Sequence, residues 1–220
     1  MSIFVFLMTY QTFIDSFSKV NDFPLPGRVA QLQAAPLNRQ QHILFKEDNL
    51  KTAKKAAVLL YCYPKQDVMQ LSLIKRTDYK GAHSGQISFP GGKPEKEDES
   101  LQTTALRECH EELGAPLDHQ KVLFPLTPVY IPPSNFLVSP FITYDDLYPN
   151  FRLDSREVAS HIELPLFKLL KLRIEQRSLD PETYPNVLVP CFCYEGHLIW
   201  GATAMILSEF KVFLLSLSSN

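Results

Sequence analysis

The sequence predicts a mixed α/β (α+β) fold built from short strands. Apolar, β-branched and aromatic runs alternate with turns rich in Pro, Gly and Asn. One stretch, 100–113, has no Pro or Gly and is made of helix formers, and a second helical pattern follows Gly201. Patterning alone restricts the architecture to α+β or α/β with short strands.

In chain order, the apolar run Ile3–Met8 is too short to cross a bilayer and has no basic residue before it, as a secretory signal would. Phe13, Ile14, Phe17 and Val20 give 9–20 the spacing of an amphipathic helix. Asp22–Gln40, rich in Pro and small residues, is expected as a loop packed on the domain. Val58–Tyr63 and Met69–Ile74 read as strands joined by the turn Pro64-Lys65-Gln66-Asp67, and Gln86–Phe89 as a third strand leading to Pro90. Ser100 suits an N-cap, and Gly114 with Pro116 beyond it stops the central helix. Leu101, Ala105, Cys109 and Leu113 form its apolar stripe.

Lys121–Tyr130 reads as a strand that Pro125 and Pro128 break or push to an edge, and Asn135–Tyr144 as the next strand. The loop Tyr130–Phe136 (YIPPSNF) is stiffened by proline; it either overhangs the site or is simply a rigid turn. Phe151–Leu170 holds a short strand. Leu188–Tyr194 and His197–Trp200 form a hairpin through Glu195-Gly196, with Trp200 expected in the core. Gly201 opens the last helix, whose apolar side is Ala204, Ile206, Leu207, Phe210 and Phe213.

The length of 220 residues and the 45% hydrophobic content allow one sizeable domain, and no repeat is visible. Residues 1–23 are expected as an N-terminal segment, helical or partly disordered, and 24–220 as the main domain. A net charge of −2 leaves no footprint for nucleic acid or an anionic membrane, so neither is expected as a partner. Cys62, Cys109, Cys191 and Cys193 lie in apolar surroundings without zinc spacing. They read as buried thiols of a reduced, cytoplasmic chain, with Cys191, Cys193 and His197 as the metal-binding alternative. Nothing in the sequence fixes an oligomeric state.

The chemistry gathers at the end of the central helix. Glu108 and Glu112 stand at i, i+4 with Glu111 beside them, where the helix dipole disfavours each. Such an oxygen cluster suits Mg²⁺ or Mn²⁺, ions that keep waters and bridge to substrate phosphates; the alternative is a solvated acidic helix end. Arg107, four residues before Glu111, can orient the cluster by charge-assisted hydrogen bonds. Pro90-Gly91-Gly92 lets backbone approach a ligand closely. Glu108, Glu111 and Glu112 are therefore the candidate metal ligands, and Glu111, Glu108 and Arg107 the candidate catalytic residues. Arg76, Gly91, Gly92 and Ser84 are the candidate substrate contacts, Arg76 because guanidinium binds phosphate oxygens bidentately. His83 and Ser84 are either phosphate contacts or ordinary loop residues, since no Gly-x-Ser-x-Gly elbow surrounds the serine.

Arg107, Glu108, Cys109, Glu111, Glu112 and Gly114 resemble the second half of the Nudix hydrolase box, R-E-U-x-E-E-x-G. Counting back from Arg107 places Glu99 at the upstream acid of the box, whereas counting forward from Gly92 places Asp98 there, so the loop carries one extra residue. Gly85–Gly92 (GQISFPGG) is similar to the signature of the coenzyme A pyrophosphatase branch, with Arg76 at its arginine. The resemblance implies an α/β/α sandwich with a mixed, partly barrel-like sheet. It further implies metal-dependent cleavage of coenzyme A or its derivatives, a small-molecule nucleotide substrate class, to 3′,5′-ADP and 4′-phosphopantetheine or its acyl form. Turnover of ADP-ribose, NADH or another nucleoside diphosphate derivative is the nearer alternative, and a non-catalytic nucleotide-binding module the other. Asp154 and Glu157 match an Asp-x-x-Glu-Val segment of the resemblance, which makes Glu157 either a further carboxylate of the site or a surface residue.

Overall fold

The computed structural model describes residues 8–18, 24–36, 51–78, 85–115, 121–179 and 187–217. Its frame is a hairpin. Strand β1 (Lys54–Lys65) turns through Gln66 and Asp67, at φ 49° and 63°, into β2 (Val68–Arg76). Two positive-φ residues make the primed turn whose twist matches the flanking strands. Side chains alternate across β1: Ala57, Leu59, Tyr61 and Tyr63 pack on one face, and Leu60 and Cys62 on the other. A strand buried on both sides is the physical reason for its unbroken apolar run.

β7 (Phe136–Tyr144) pairs parallel with β1 over its length, from Lys54 opposite Phe136 to Cys62 opposite Tyr144. Around these strands lie β3 (Ile87–Ser88), β4 (Gly91–Gly92), β5 (Val122–Pro125), β6 (Val129–Ile131) and β8 (Val158–Pro165). Together they form a mixed eight-stranded sheet whose ordered path runs β3-β2-β1-β7-β5; it does not close into a barrel among the described residues. The expected strand 121–130 is divided as its prolines require, and both pieces, β5 and β6, pair with β7.

Five helices are described: α1 (Tyr10–Phe17), α2 (Gly27–Leu32), α3 (Leu101–Leu113), α4 (Leu166–Lys171) and α5 (Gly201–Leu217). α3 covers one face, burying Ala105, Leu106, Cys109 and Leu113 against the odd-numbered residues of β1. α1, α4 and α5 cover the other through Phe13, Phe17, Leu166, Leu169, Phe210 and Phe213. A second sheet of β9 (Glu175–Ser178), β10 (Leu188–Tyr194) and β11 (His197–Trp200) completes the fold. No helix among the described residues is long and apolar enough to cross a membrane. None of the four cysteines is in a disulfide; the Cys191 and Cys193 sulfurs lie 4.0 Å apart.

The caps of α3 form as the sequence predicts. Ser100 Oγ accepts from the Thr103 N–H at 3.1 Å, and Gly114, at φ 71°, donates its N–H to the His110 carbonyl at 2.7 Å. α2 is a correction, because the sequence reading expects a loop there. The prolines at 24, 26 and 36 bracket the segment and leave its interior free to coil, and Gln31 anchors it by donating to Glu209 and to the Thr127 carbonyl. Tertiary contact overrides composition here.

Candidate active site

β4 reaches β1 where a side chain cannot follow. Gly91 has φ 150°, and a Cβ there would stand 2.3 Å from the Ala57 carbonyl oxygen and 2.6 Å from Val58 Cα. The bare backbone therefore pairs with Ala57 and Val58 of β1 and turns its N–H toward α3, where Oε2 of Glu112 accepts it at 2.9 Å. Gly92 leaves space of another kind: a Cβ there would lie 2.3 Å from Oε1 of Glu108. The two glycines thus form the floor beneath both carboxylates.

Glu112 is 2% exposed, and no hydrogen-bond donor meets its Oε1. Arg76 Nη1 lies 3.5 Å from that oxygen, an electrostatic neighbour rather than a hydrogen bond. Burial pushes the Glu112 carboxyl up to about 8; the Gly91 N–H and Arg76 oppose the shift, and Glu108 and Glu157 add to it. Glu108, half-buried, is also raised by burial, against the pull of Arg107 and with the repulsion of Glu111 and Glu157. Glu157 therefore acts on the field of both inner carboxylates, although its side chain is exposed. The Asp154 carboxylate turns away to Arg156.

Arg107 ties the cluster together. Nε and Nη2 donate to the two oxygens of Asp98 at 3.1 and 3.0 Å, a bidentate grip, and Nη2 also reaches Glu108 Oε1 at 3.2 Å and the Lys93 carbonyl at 3.0 Å. Nη1 donates to Glu111 Oε2 at 3.0 Å. Asp98, not Glu99, is the acid that Arg107 holds; Glu99 is exposed. The Arg107 hydrogen bonds lower the Asp98 carboxyl to about 2, and Thr104 and the Glu95 N–H help. Glu111 stands at the solvent edge, its side chain 54% exposed.

The site can take a divalent cation. An unpartnered carboxylate oxygen on Glu112, beside Glu108, is a donor set suited to a hard ion. Among the described residues no three His, Cys, Asp or Glu side chains close a complete shell, so an ion held here would take further oxygens from water and substrate.

A cavity of about 420 Å³ opens beside this cluster, lined by Arg76, Phe89, Gly91, Gly92, Lys93, Phe136 and Trp200 among others. The proline loop contributes Ile131, Pro133, Ser134 and Phe136 to the lining, so it stands over the cavity. Trp200, expected in the core, is half-buried and forms part of the wall, because the β10–β11 hairpin delivers it to the start of α5. Ser88 and Ser134 also line the cavity, and their buried hydroxyls have no hydrogen-bond partner. Neither serine nor Lys93 stands among the candidates drawn from the sequence, although the lysine directly follows Pro-Gly-Gly. The structure brings together Arg76, Gly91, Gly92, Arg107, Glu108, Glu111 and Glu112. Ser84 and His83 lie outside the described residues.

A family profile described as the NUDIX domain matches residues 53–179. The chain is 35% identical over 182 residues to a protein from Yersinia pestis (strain Pestoides F) named uncharacterized Nudix hydrolase NudL, a match covering 78% of this chain and 89% of the relative. A NudL protein of Yersinia pseudotuberculosis serotype O:3 (strain YPIII) matches with the same identity and coverage. Among solved structures, a MutT/nudix family protein from Enterococcus faecalis superimposes with a TM-score of 0.52 at 12% identity, covering 94% of this chain and 79% of that one, a likeness of fold.

Proposed function

The chain belongs to the NUDIX domain family and is a hydrolase, and from that premise we propose that it acts on nucleoside diphosphate derivatives and that its substrate is coenzyme A or an acyl derivative, cleaved to 3′,5′-ADP and 4′-phosphopantetheine or its acyl form. The observation that carries the chemistry is the pair Glu108 and Glu112 set over Gly91 and Gly92, with one Glu112 oxygen unpartnered. The Gly85–Gly92 segment, similar to the coenzyme A signature, supports the finer assignment because it builds both the floor of the carboxylates and part of the cavity.

Glu108 and Oε1 of Glu112 would hold Mg²⁺ or Mn²⁺, with water and substrate oxygens completing the shell. When bound, the ion supplies charge neutralisation of the diphosphate and a more acidic water. The chain does the rest. The Gly91 N–H fixes Glu112, and Arg107 fixes Glu108 and Glu111 in one plane of hydrogen bonds. Arg76, 3.5 Å from Glu112, would bring positive charge to the phosphate oxygens where the cavity meets the carboxylates. Glu111, exposed to water on one side and held by Arg107 on the other, would accept the proton of the attacking water.

The test is product chromatography with Mg²⁺ or Mn²⁺ on coenzyme A, ADP-ribose and NADH in parallel. Release of 3′,5′-ADP from coenzyme A ahead of turnover on the others is the expected result. Preferential cleavage of ADP-ribose or NADH would keep the chemistry and overturn the substrate.

A further inference from the structure

We propose that the cavity beside the carboxylates is the subsite for the branched, amide-bearing arm of the substrate, and that Ser88 and Ser134 read that arm by hydrogen bonding. The proposal deepens the coenzyme A reading and rests on it. It assigns which half of the molecule lies inside the protein.

The walls decide against a phosphate-rich ligand. Val58, Phe89, Ile131, Phe136, Val138 and Ile206 line the space with apolar surface. Of the lining cations, Arg76 belongs to the carboxylate end, 3.5 Å from Glu112, whereas Lys93 gives its carbonyl to Arg107 and holds its ammonium over the Phe136 ring, 5.7 Å from the centroid. A diphosphate would therefore lie at that end, and whatever follows it must be largely uncharged. In coenzyme A the groups that follow the diphosphate on the non-nucleotide side are a methylene, a carbon bearing two methyls, a carbon bearing a hydroxyl and then an amide. The 3′-phosphate and the base lie on the other side. An apolar chamber of about 420 Å³ is in the range of small-molecule sites and suits the branched arm.

The polar groups are placed for the same ligand. Thr203, also on the wall, already donates to the Ile87 carbonyl at 3.1 Å. Ser88 on β3 and Ser134 in the β6–β7 turn have buried hydroxyls without a partner. Such groups are uncommon in folded proteins and are costly until satisfied. Two hydroxyls from separate elements, each able to donate or accept, match a ligand carrying one hydroxyl and amide groups along an otherwise apolar chain. A nucleobase would instead use Trp200 or Phe136 as a stacking face, so the two products separate the readings.

The experiment measures binding of 4′-phosphopantetheine and of 3′,5′-ADP by calorimetry in Mg²⁺, with the wild type, Ser88→Ala and Ser134→Ala. Each serine variant is expected to weaken 4′-phosphopantetheine about five- to tenfold and leave 3′,5′-ADP unchanged. Ala202→Leu, which fills the cavity from the first turn of α5, is expected to abolish arm binding with an unaltered circular dichroism spectrum, and covers the case of a serine variant that fails to fold. Loss of 3′,5′-ADP affinity instead, or no change in either ligand, overturns the subsite. This binding pattern together with no cleavage of coenzyme A by the wild type would overturn coenzyme A as the substrate and leave the subsite standing.

Discussion

Gly91 donates its N–H to Oε2 of Glu112 at 2.9 Å, so a residue that can carry no side chain positions the most buried carboxylate of the site. The two neighbouring glycines should then fail in different ways. In Gly91→Ala the new Cβ meets backbone, 2.3 Å from the Ala57 oxygen, at a φ of 150°. The expected loss is about 3 kcal/mol or more, read as a lower midpoint in denaturant. In Gly92→Ala the new Cβ meets only the far end of Glu108, which can swing aside. That variant should keep its midpoint and bind Mn²⁺ about 10- to 100-fold more weakly by titration. A Gly91→Ala variant that kept its midpoint as Gly92→Ala does would mean that β4 tolerates shifts that the contact with Ala57 forbids.

Replacing Glu112 by Gln removes the charge and keeps an oxygen for the Gly91 N–H. Mn²⁺-dependent turnover should fall by about 10²- to 10⁴-fold, the range of an electrostatic or proton-transfer group. The metal-free variant should be at least as stable as the wild type near neutral pH, because burial disfavours the Glu112 carboxylate. Full Mn²⁺-dependent activity in this variant would remove Glu112 from the ligand set.

The same burial sets the pH response of the metal-free protein. Glu112 titrates at about 8 when folded, above the ordinary carboxylate value, so the folded state binds the extra proton between the two. Stability must then fall as pH rises through that window, since the proton is held by the native state and released on unfolding. Denaturation midpoints in EDTA between about pH 5 and 8.5 should decline, and saturating Mn²⁺ should flatten the trend. A rising EDTA curve would contradict the buried, uncompensated carboxyl.

Asp98 has the opposite sign. Its folded value of about 2 lies below the ordinary one, so its contribution is present above the ordinary value and is lost as pH falls toward 2. Asp98→Asn should cost of order 1 kcal/mol at neutral pH and loosen Arg107 from Glu108 and Glu111, lowering Mn²⁺ affinity about tenfold or more. Glu99→Gln should change neither quantity. The reverse outcome would mean that Glu99, not Asp98, supports Arg107.

Much of this was legible because it is local. Ser100 and Gly114 announce the ends of α3 by their own chemistry, and Glu108 and Glu112 share a face by spacing alone. The bare Pro-Gly-Gly announced a close approach, but its partner, Ala57, lies far back in the chain and left no mark near it. The choice between Asp98 and Glu99 turns on where Arg107 points, which counting cannot decide. The cavity was illegible for the same reason: Ser88, Ser134 and Trp200 come from three separate elements, and each alone looks ordinary. In 22–40 the composition predicts a loop, whereas the prolines only bracket the helix Gly27–Leu32.

Glu209 shows how far a non-local contact can matter without any sequence signal. It is 0% exposed on α5, and its carboxylate accepts from the Gly27 N–H at 3.2 Å, the Thr127 N–H at 3.2 Å, Thr127 Oγ1 at 2.7 Å and Gln31 Nε2 at 2.7 Å. One side chain thereby joins α2, the β5–β6 connection and α5. Glu209→Ala would strand these donors in the interior and should cost about 2–4 kcal/mol by chemical denaturation. Glu209→Gln keeps one acceptor but turns an amide toward donors, so it should fall between the wild type and the alanine variant. A loss in Glu209→Ala no larger than that of an exposed glutamate would mean that water enters and satisfies the donors, and that α2 is held by the Ser208 Oγ hydrogen bond to the Ala30 carbonyl rather than by this carboxylate.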